Sequence, residues 1–248
     1  MSENCHVCDD LYNFIDEPQK THQCPSCGHI YRIPPEDNYL YHKEKYRTDD
    51  RFFRNNKEFD PDGTVNENFH RARKKIVSSR KDKIAQYLSP EYSILDIGSG
   101  AGTFVNEIRD SVKESECNEV ANNLADECER LGFKVYRGDI LKLEIKRTYD
   151  VVCAWHVLEH VENIEAFKNL LLELTTKYCI IEVPLLRSMD PNMHRIRNLP
   201  TPTVEDWDGH VHYFSPTSLR EFFEEEFNIL SFEVGVQDPA ALCIMEKK

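Results

Sequence analysis

The chain has 248 residues, 40% hydrophobic and 30% charged, with 44 acidic against 31 basic residues and a net charge of −13. That length accommodates one large domain and a small accessory one. The acidic balance disfavours broad binding to a phosphate backbone, which calls for a basic surface, and the absence of a run of about 18 apolar residues excludes a membrane-spanning helix.

The N-terminus, Met1-Ser2-Glu3-Asn4-Cys5, lacks a basic region followed by an apolar run, so no signal peptide is expected. Nine cysteines, an odd number, then point to a reducing, cytoplasmic setting in which cysteine serves as metal ligand or core residue. Cys5 and Cys8 are separated by two residues, as are Cys24 and Cys27, with 15 residues between the pairs. Two such knuckles can set four thiolates tetrahedrally around one zinc ion, and an all-cysteine set predicts a closed, structural site. Pro25 and Gly28 favour the tight turn of the second knuckle. About 30 residues bury too little core to fold alone, so the metal is expected to supply that free energy. Residues 1–33 thus form a module similar to a zinc ribbon; His6, His22 and His29 are alternative ligands.

Residues 34–65 are polar yet carry Tyr39, Tyr41, Tyr46, Phe52, Phe53 and Phe59. Such a segment is too aromatic for a solvated linker and is expected to bridge to, and pack over, the main domain. That domain, residues 66–248, opens with a helix from Asn66 to Leu88, closed by Ser89-Pro90. Its basic stretch Arg71–Lys83 is read as a solvated face or a local basic patch.

Strand and helix patterns then alternate, which predicts a mostly parallel sheet with helices on both faces. Strands are expected at Ser93–Ile97, Lys134–Arg137, Asp150–Trp155 and Cys179–Val183, and helices at Thr103–Val112, Asn122–Leu131 and Ile164–Thr175. A further strand should end near Glu119. The stretch before it, Lys113-Glu114-Ser115-Glu116-Cys117-Asn118, is too polar for a strand buried on both faces. It predicts either a short, exposed strand or weakened ligand binding there. After a helix at Thr217–Glu225, strands Asn228–Val234 and Ala241–Glu246 flank a turn at Pro239 and should close the sheet as a hairpin, the last one antiparallel.

Ile94-Leu95-Asp96-Ile97-Gly98-Ser99-Gly100-Ala101-Gly102 is an apolar strand ending in an acid and a glycine turn, the arrangement that brings backbone close to a nucleotide-like ligand. This run, Arg137-Gly138-Asp139-Ile140, and Asp150 through Val161 together resemble the class I S-adenosylmethionine-dependent methyltransferases. The resemblance implies a Rossmann-like seven-stranded α/β sheet with an antiparallel C-terminal hairpin. It also implies S-adenosylmethionine as cofactor. Asp96 is placed for the methionine ammonium, and Gly98 and Gly100 allow close approach to the amino-acid portion. Glu119, 23 residues after Asp96, is placed for the ribose hydroxyls. Asp139 is placed for the adenine amino group, with a turn or cap residue as the alternative.

His156, Glu159 and His160 are spaced three and four apart, so one helical turn would share them on a face at the carboxyl end of a strand, where ligands bind in open α/β sheets. They suit a general base or a divalent metal. The run is similar to the Glu-x-x-Glu-His of the ubiquinone-biosynthesis O-methyltransferases, which implies metal, although His156 replaces the first Glu. Bracing of the fold by Glu159 and His160 is the alternative. In Trp207-Asp208-Gly209-His210-Val211-His212-Tyr213, period-two alternation would put His210 and His212 on one side, either as base for an acceptor or as core histidines. Leu186–Asp206 reads as a lid or acceptor loop.

The ribbon-like start, aromatic bridge and this domain type resemble methyltransferases of sugar and secondary-metabolite pathways, which implies a small hydroxylated acceptor. Two alternatives stay open. One is an RNA or nucleobase methyltransferase, since a ribosomal-RNA guanine methyltransferase family also pairs a zinc ribbon with this fold; the acidic charge and the absence of an Asn/Asp-Pro-Pro-aromatic motif argue against nucleic acid. The other is a binding protein without activity whose ribbon docks partners. The sequence leaves oligomeric state open.

Overall fold

The computed structural model describes residues 4–16, 21–34, 67–185, 209–235 and 240–248. The aromatic segment (beyond Pro34), the Leu186–Asp206 stretch, Trp207, Asp208 and the turn at Pro239 lie outside the described residues. Among those described, no helix is long and apolar enough to cross a membrane.

The N-terminal strands β1 (Asn13–Asp16), β2 (Thr21–Gln23) and β3 (Ile30–Arg32) pair antiparallel. Further along come α1 (Glu67–Ile84), β4 (Ser93–Ile97), α2 (Thr103–Ile108), β5 (Glu114–Glu119), α3 (Asn122–Arg130) and β6 (Lys134–Arg137). They are followed by β7 (Tyr149–Trp155), α4 (Ile164–Leu174), β8 (Thr175–Pro184), β9 (His212–Tyr213), α5 (Pro216–Phe223), β10 (Phe227–Val234) and β11 (Ala240–Lys247). The large sheet has seven strands in the order β10-β11-β8-β7-β4-β5-β6. β4, β5 and β6 run parallel, whereas β11 is antiparallel to both β8 and β10. This is the expected doubly wound sheet with its closing hairpin. Beyond the expected elements, β9 leaves the large sheet and pairs with β3, giving a four-stranded sheet β1-β2-β3-β9.

Two compact units divide the chain: residues 1–36 with 152–248, and residues 37–151. The cysteine-bearing start is therefore grouped with the C-terminal half.

Within the unit of residues 37–151, β5 corrects an expectation. It is neither short nor exposed, and its last four residues are buried. Its polarity is matched by partners from distant parts of the chain. Arg147 bonds Glu114 at 2.7 Å and Glu116 at 2.9 Å, while Tyr149 donates its hydroxyl to Glu116 and Lys134 lies 3.3 Å from it. The Asn118 amide donates to the carbonyls of Tyr136 and Gly138, at 2.8 and 2.9 Å. Burial alone would raise the Glu116 carboxyl, but the Tyr149, Tyr136 and Lys134 hydrogen bonds and the Arg147 charge outweigh it and hold it below the usual range. A depressed carboxyl contributes stability above its unfolded value of about 4.3, and loses it as pH falls through the folded value. Glu116→Ala leaves the Tyr149 hydroxyl and Arg147 without this acceptor, and is expected to cost about 2–4 kcal/mol in urea unfolding. A loss within about 0.5 kcal/mol would show that the network is not what permits a polar strand here.

The basic stretch on α1 is divided. Arg71, Lys74 and Lys75 are exposed, but Arg80 is buried and Lys81 donates to the Glu107 carbonyl at 2.9 Å.

Candidate active site

The glycine loop follows β4. Gly98, Gly100 and Gly102 all have left-handed backbones, with φ of 67°, 58° and 72°. Gly102 begins α2, and a Cβ added to it would stand 3.1 Å from the Cys128 sulfur. Both facts demand glycine. Ser99 ties the loop down: its hydroxyl donates to the Asp96 carbonyl at 2.6 Å and its N–H to the Asn118 carbonyl at 3.0 Å.

Asp96, at the end of β4, is 1% exposed, and its Oδ1 has no hydrogen-bond partner among the described residues. Burial pushes its carboxyl up to about 8, with Glu119 adding to the rise and Arg80, Arg73 and the Ser99 hydrogen bond opposing it. A buried carboxyl with an unpartnered oxygen beside bare backbone suits a cationic ligand head group. Such a residue set fits the ammonium of S-adenosylmethionine.

Glu119, at the end of β5, accepts from the N–H groups of Gly100 at 2.8 Å, Val120 at 2.8 Å and Ala121 at 2.9 Å. The side chain is thus held against the glycine loop by the turn it leads into. Asp139 caps the short 3-10 turn Ile140–Lys142, accepting from the Leu141 N–H at 3.1 Å and pairing with Lys142 at 3.1 Å. The cap alternative for Asp139 is therefore physically present.

A second cluster lies in the other unit, past the end of β7. His156 leaves the strand with φ of 57°, a left-handed backbone that a histidine rarely adopts. Leu158–His160 then form a 3-10 turn. The single α-helical face expected for His156, Glu159 and His160 does not form. His156 Nε2 instead lies 3.1 Å from Glu182 Oε1, and its N–H donates to the Glu182 carbonyl at 2.8 Å. Its Nδ1 stands 3.6 Å from the buried Glu159 carboxylate. His160 Nδ1 lies 2.8 Å from the Gly209 carbonyl, so that nitrogen carries the proton and Nε2 faces Glu159 at 3.8 Å. The ligand atoms that converge within 4.8 Å are those of Glu159, His160 and His210, not the trio with His156. Glu182 was missed by sequence reasoning, although one acid in the apolar run Cys179-Ile180-Ile181-Glu182-Val183 is a usable signal.

His210 and His212 do not share a role. His210 is partly exposed, its ring 4.7 Å from that of His160 and edge-on. His212 is fully buried. Its Nδ1 is 3.1 Å from His29 Nε2 and its Nε2 is 3.4 Å from the Glu162 carbonyl. Burial, followed by the nearby His29 and His6, pushes it well below the usual imidazole range. As a base for an acceptor, His212 is therefore corrected: both nitrogens are engaged in the interior.

The four N-terminal cysteines come together. Cys5 and Cys27 sulfurs lie 3.6 Å apart, Cys8 and Cys24 3.5 Å, and all four lie within 4.8 Å of one another. Tetrahedral bonds of about 2.3 Å to zinc would set sulfurs about 3.8 Å apart, whereas a disulfide needs about 2.05 Å. Asp9 and Gly28, each following the second cysteine of its knuckle, both adopt left-handed backbones, φ 59° and 76°. The two knuckles thus turn in the same way.

A methyltransferase domain family model matches residues 69–229. The chain is 20% identical over 156 residues to pavine N-methyltransferase of Thalictrum flavum subsp. glaucum, covering 56% of this chain and 42% of that protein. It thus spans less than half the length of that curated relative. Among solved structures, the PH0226 protein of Pyrococcus horikoshii OT3 matches with TM-score 0.60 and 15% identity, covering 80% of this chain and 99% of that one. Magnesium protoporphyrin IX methyltransferase of Synechocystis PCC 6803, with bound S-adenosylmethionine, matches with TM-score 0.58 and 15% identity, covering 87% and 99%. The N-methyltransferase NodS of Bradyrhizobium japonicum WM9, with S-adenosylhomocysteine, matches with TM-score 0.56 and 16% identity, covering 86% and 99%. These likenesses speak to the fold, and the family match covers more than half of the chain: it belongs to the methyltransferase-domain family.

Proposed function

We propose that this chain moves a methyl group from S-adenosylmethionine to a small hydroxylated acceptor of the sugar or secondary-metabolite type. The observation that carries the donor half is the buried Asp96 carboxyl, whose Oδ1 has no hydrogen-bond partner among the described residues, at the strand end that leads into Gly98 and Gly100. In this reading Asp96 holds the ammonium, Gly98 and Gly100 admit the amino-acid portion, Glu119 receives the ribose and Asp139 the adenine amino group. The net charge of −13 supports a small acceptor over nucleic acid. The cysteine cluster binds one structural zinc through Cys5, Cys8, Cys24 and Cys27.

When bound, the cofactor supplies an electrophilic sulfonium methyl carbon. The protein's part is positioning and, for a hydroxyl acceptor, removal of one proton. An imidazole nitrogen of this chain would take the acceptor's hydroxyl proton as the methyl group leaves the sulfonium. His156, held by Glu182, and the partly exposed His210 are the two candidates. His156→Ala and His210→Ala, made separately, are expected to leave cofactor affinity intact, and one of them to lower kcat by about 10²–10⁴-fold. Pavine N-methyltransferase and NodS are named for nitrogen methylation, so amines belong in the acceptor panel beside sugars and phenols. Unchanged turnover in both variants would remove the histidine base. A panel in which only nucleic acid is methylated would overturn the small acceptor.

A further inference from the structure

The ribbon is joined to the segment of residues 209–215 by three separate ties. The first is backbone. β3 pairs with β9, the Arg32 N–H donates to the Val211 carbonyl at 2.8 Å, and the Val211 N–H donates to the Glu159 carbonyl at 2.8 Å. Val211 is thereby stapled between a ribbon strand and the turn that carries Glu159 and His160. The second is a buried side-chain relay. Tyr12 Oη lies 2.6 Å from His29 Nδ1, His29 Nε2 lies 3.1 Å from His212 Nδ1, and His212 Nε2 lies 3.4 Å from the Glu162 carbonyl.

The two imidazoles stack with centroids 5.1 Å apart. The third tie is at the metal knuckle itself. Ser215, the N-cap of α5, donates its hydroxyl to the Cys27 carbonyl at 2.7 Å while accepting from the Ser218 N–H at 2.9 Å.

We infer that the ribbon is a positioning element of the acceptor side: the drawn-together thiolates fix β3, His29 and the Cys27 carbonyl, and these set the register of residues 209–215 and hold His210 against His160. The physical reason is economy of structure. β9 is two residues long at the edge of its sheet, and its strand partner there is β3. A ribbon of this size depends on its metal for folding, so all three ties are lost together when the metal leaves. His29, His212 and Ser215 are then positioning residues, and the ribbon's inner face is occupied by its own chain rather than presented to a partner. The catalytic consequence rests on the proposed role of His210; the positioning itself does not.

Amide hydrogen exchange on the full-length chain, without acceptor, tests the positioning independently of that role. Metal removal by a chelator is expected to raise exchange at residues 209–215 by on the order of tenfold or more, with β10 and β11 unchanged and S-adenosylhomocysteine affinity within about twofold. His212→Phe keeps the stacked ring but cuts both hydrogen bonds. It should give the same local pattern while the ribbon still holds its metal, and raise acceptor KM with cofactor Kd unchanged. Protection at 209–215 that survives either metal loss or His212→Phe would overturn the inference. If His212→Phe does not fold, Tyr12→Phe decides: raised exchange at 209–215 supports the relay, and unchanged exchange overturns it.

Discussion

S-adenosylmethionine binding at pH 7 is expected to release close to one proton, and Asp96 is its source. In the free protein burial holds the Asp96 carboxyl up to about 8, so most molecules carry it neutral at pH 7. A bound ammonium favours the ionised form and pulls the value down, which expels the proton. Calorimetry in buffers of different ionisation enthalpy reads this directly: binding should be more exothermic in Tris than in phosphate at pH 7, and the difference should shrink as pH is raised towards 8. Asp96→Asn is expected to weaken binding about 10–100-fold and to abolish the buffer dependence. Buffer-independent heats at pH 7 in the wild type would overturn the assignment. The same shift has a stability consequence of known sign. A carboxyl raised on folding favours the folded state only while protonated, so the free protein should lose stability as pH rises from about 3.9 towards 8. Asp96→Asn should flatten that decline.

Cys24→Ser is expected to lose the metal and, with it, the ribbon. The sulfur spacings of 3.5 and 3.6 Å suit a shared tetrahedral ion and are far too long for disulfides. Structural zinc contributes on the order of 10 kcal/mol to folding in isolated modules. For this chain a net loss of about 3–5 kcal/mol is expected, which would lower Tm by about 10 °C. Elemental analysis should find one zinc per wild-type chain and little in the variant, and chelation of the wild type should reproduce the variant's Tm. A folded, unchelated preparation without metal would overturn the zinc assignment.

How far these residues could be read from sequence depends on the range of the interactions that fix them. The glycine loop was legible because its constraint is local: strand, acid, three left-handed positions and a helix are consecutive. The cysteine knuckles were legible for the same reason, each being a four-residue turn repeated once. The polarity of β5 suggests exposure only as long as its partners are out of view. Its neutralising groups, Arg147 and Tyr149, stand more than 30 residues away. The spacing of His156, Glu159 and His160 implies a shared helical face, but a left-handed His156 and a 3-10 turn break that period. Glu182 entered only when the β8 end was placed beside His156.

The histidines 210 and 212 show the division most clearly. Alternation along the chain put them together, and pairing of β9 with a ribbon strand some 180 residues away separated them, burying one and leaving the other partly exposed. The sequence by itself determined the strand and helix order of the large sheet, the glycine loop after β4 and the clustering of the four cysteines, because each is written in contiguous residues whose backbone geometry admits few alternatives. The tertiary structure alone decided which polar groups are buried with partners, which of the two histidines is buried and which segment pairs with the ribbon strand, because burial and hydrogen bonding between distant segments depend on the folded neighbourhood, not on spacing.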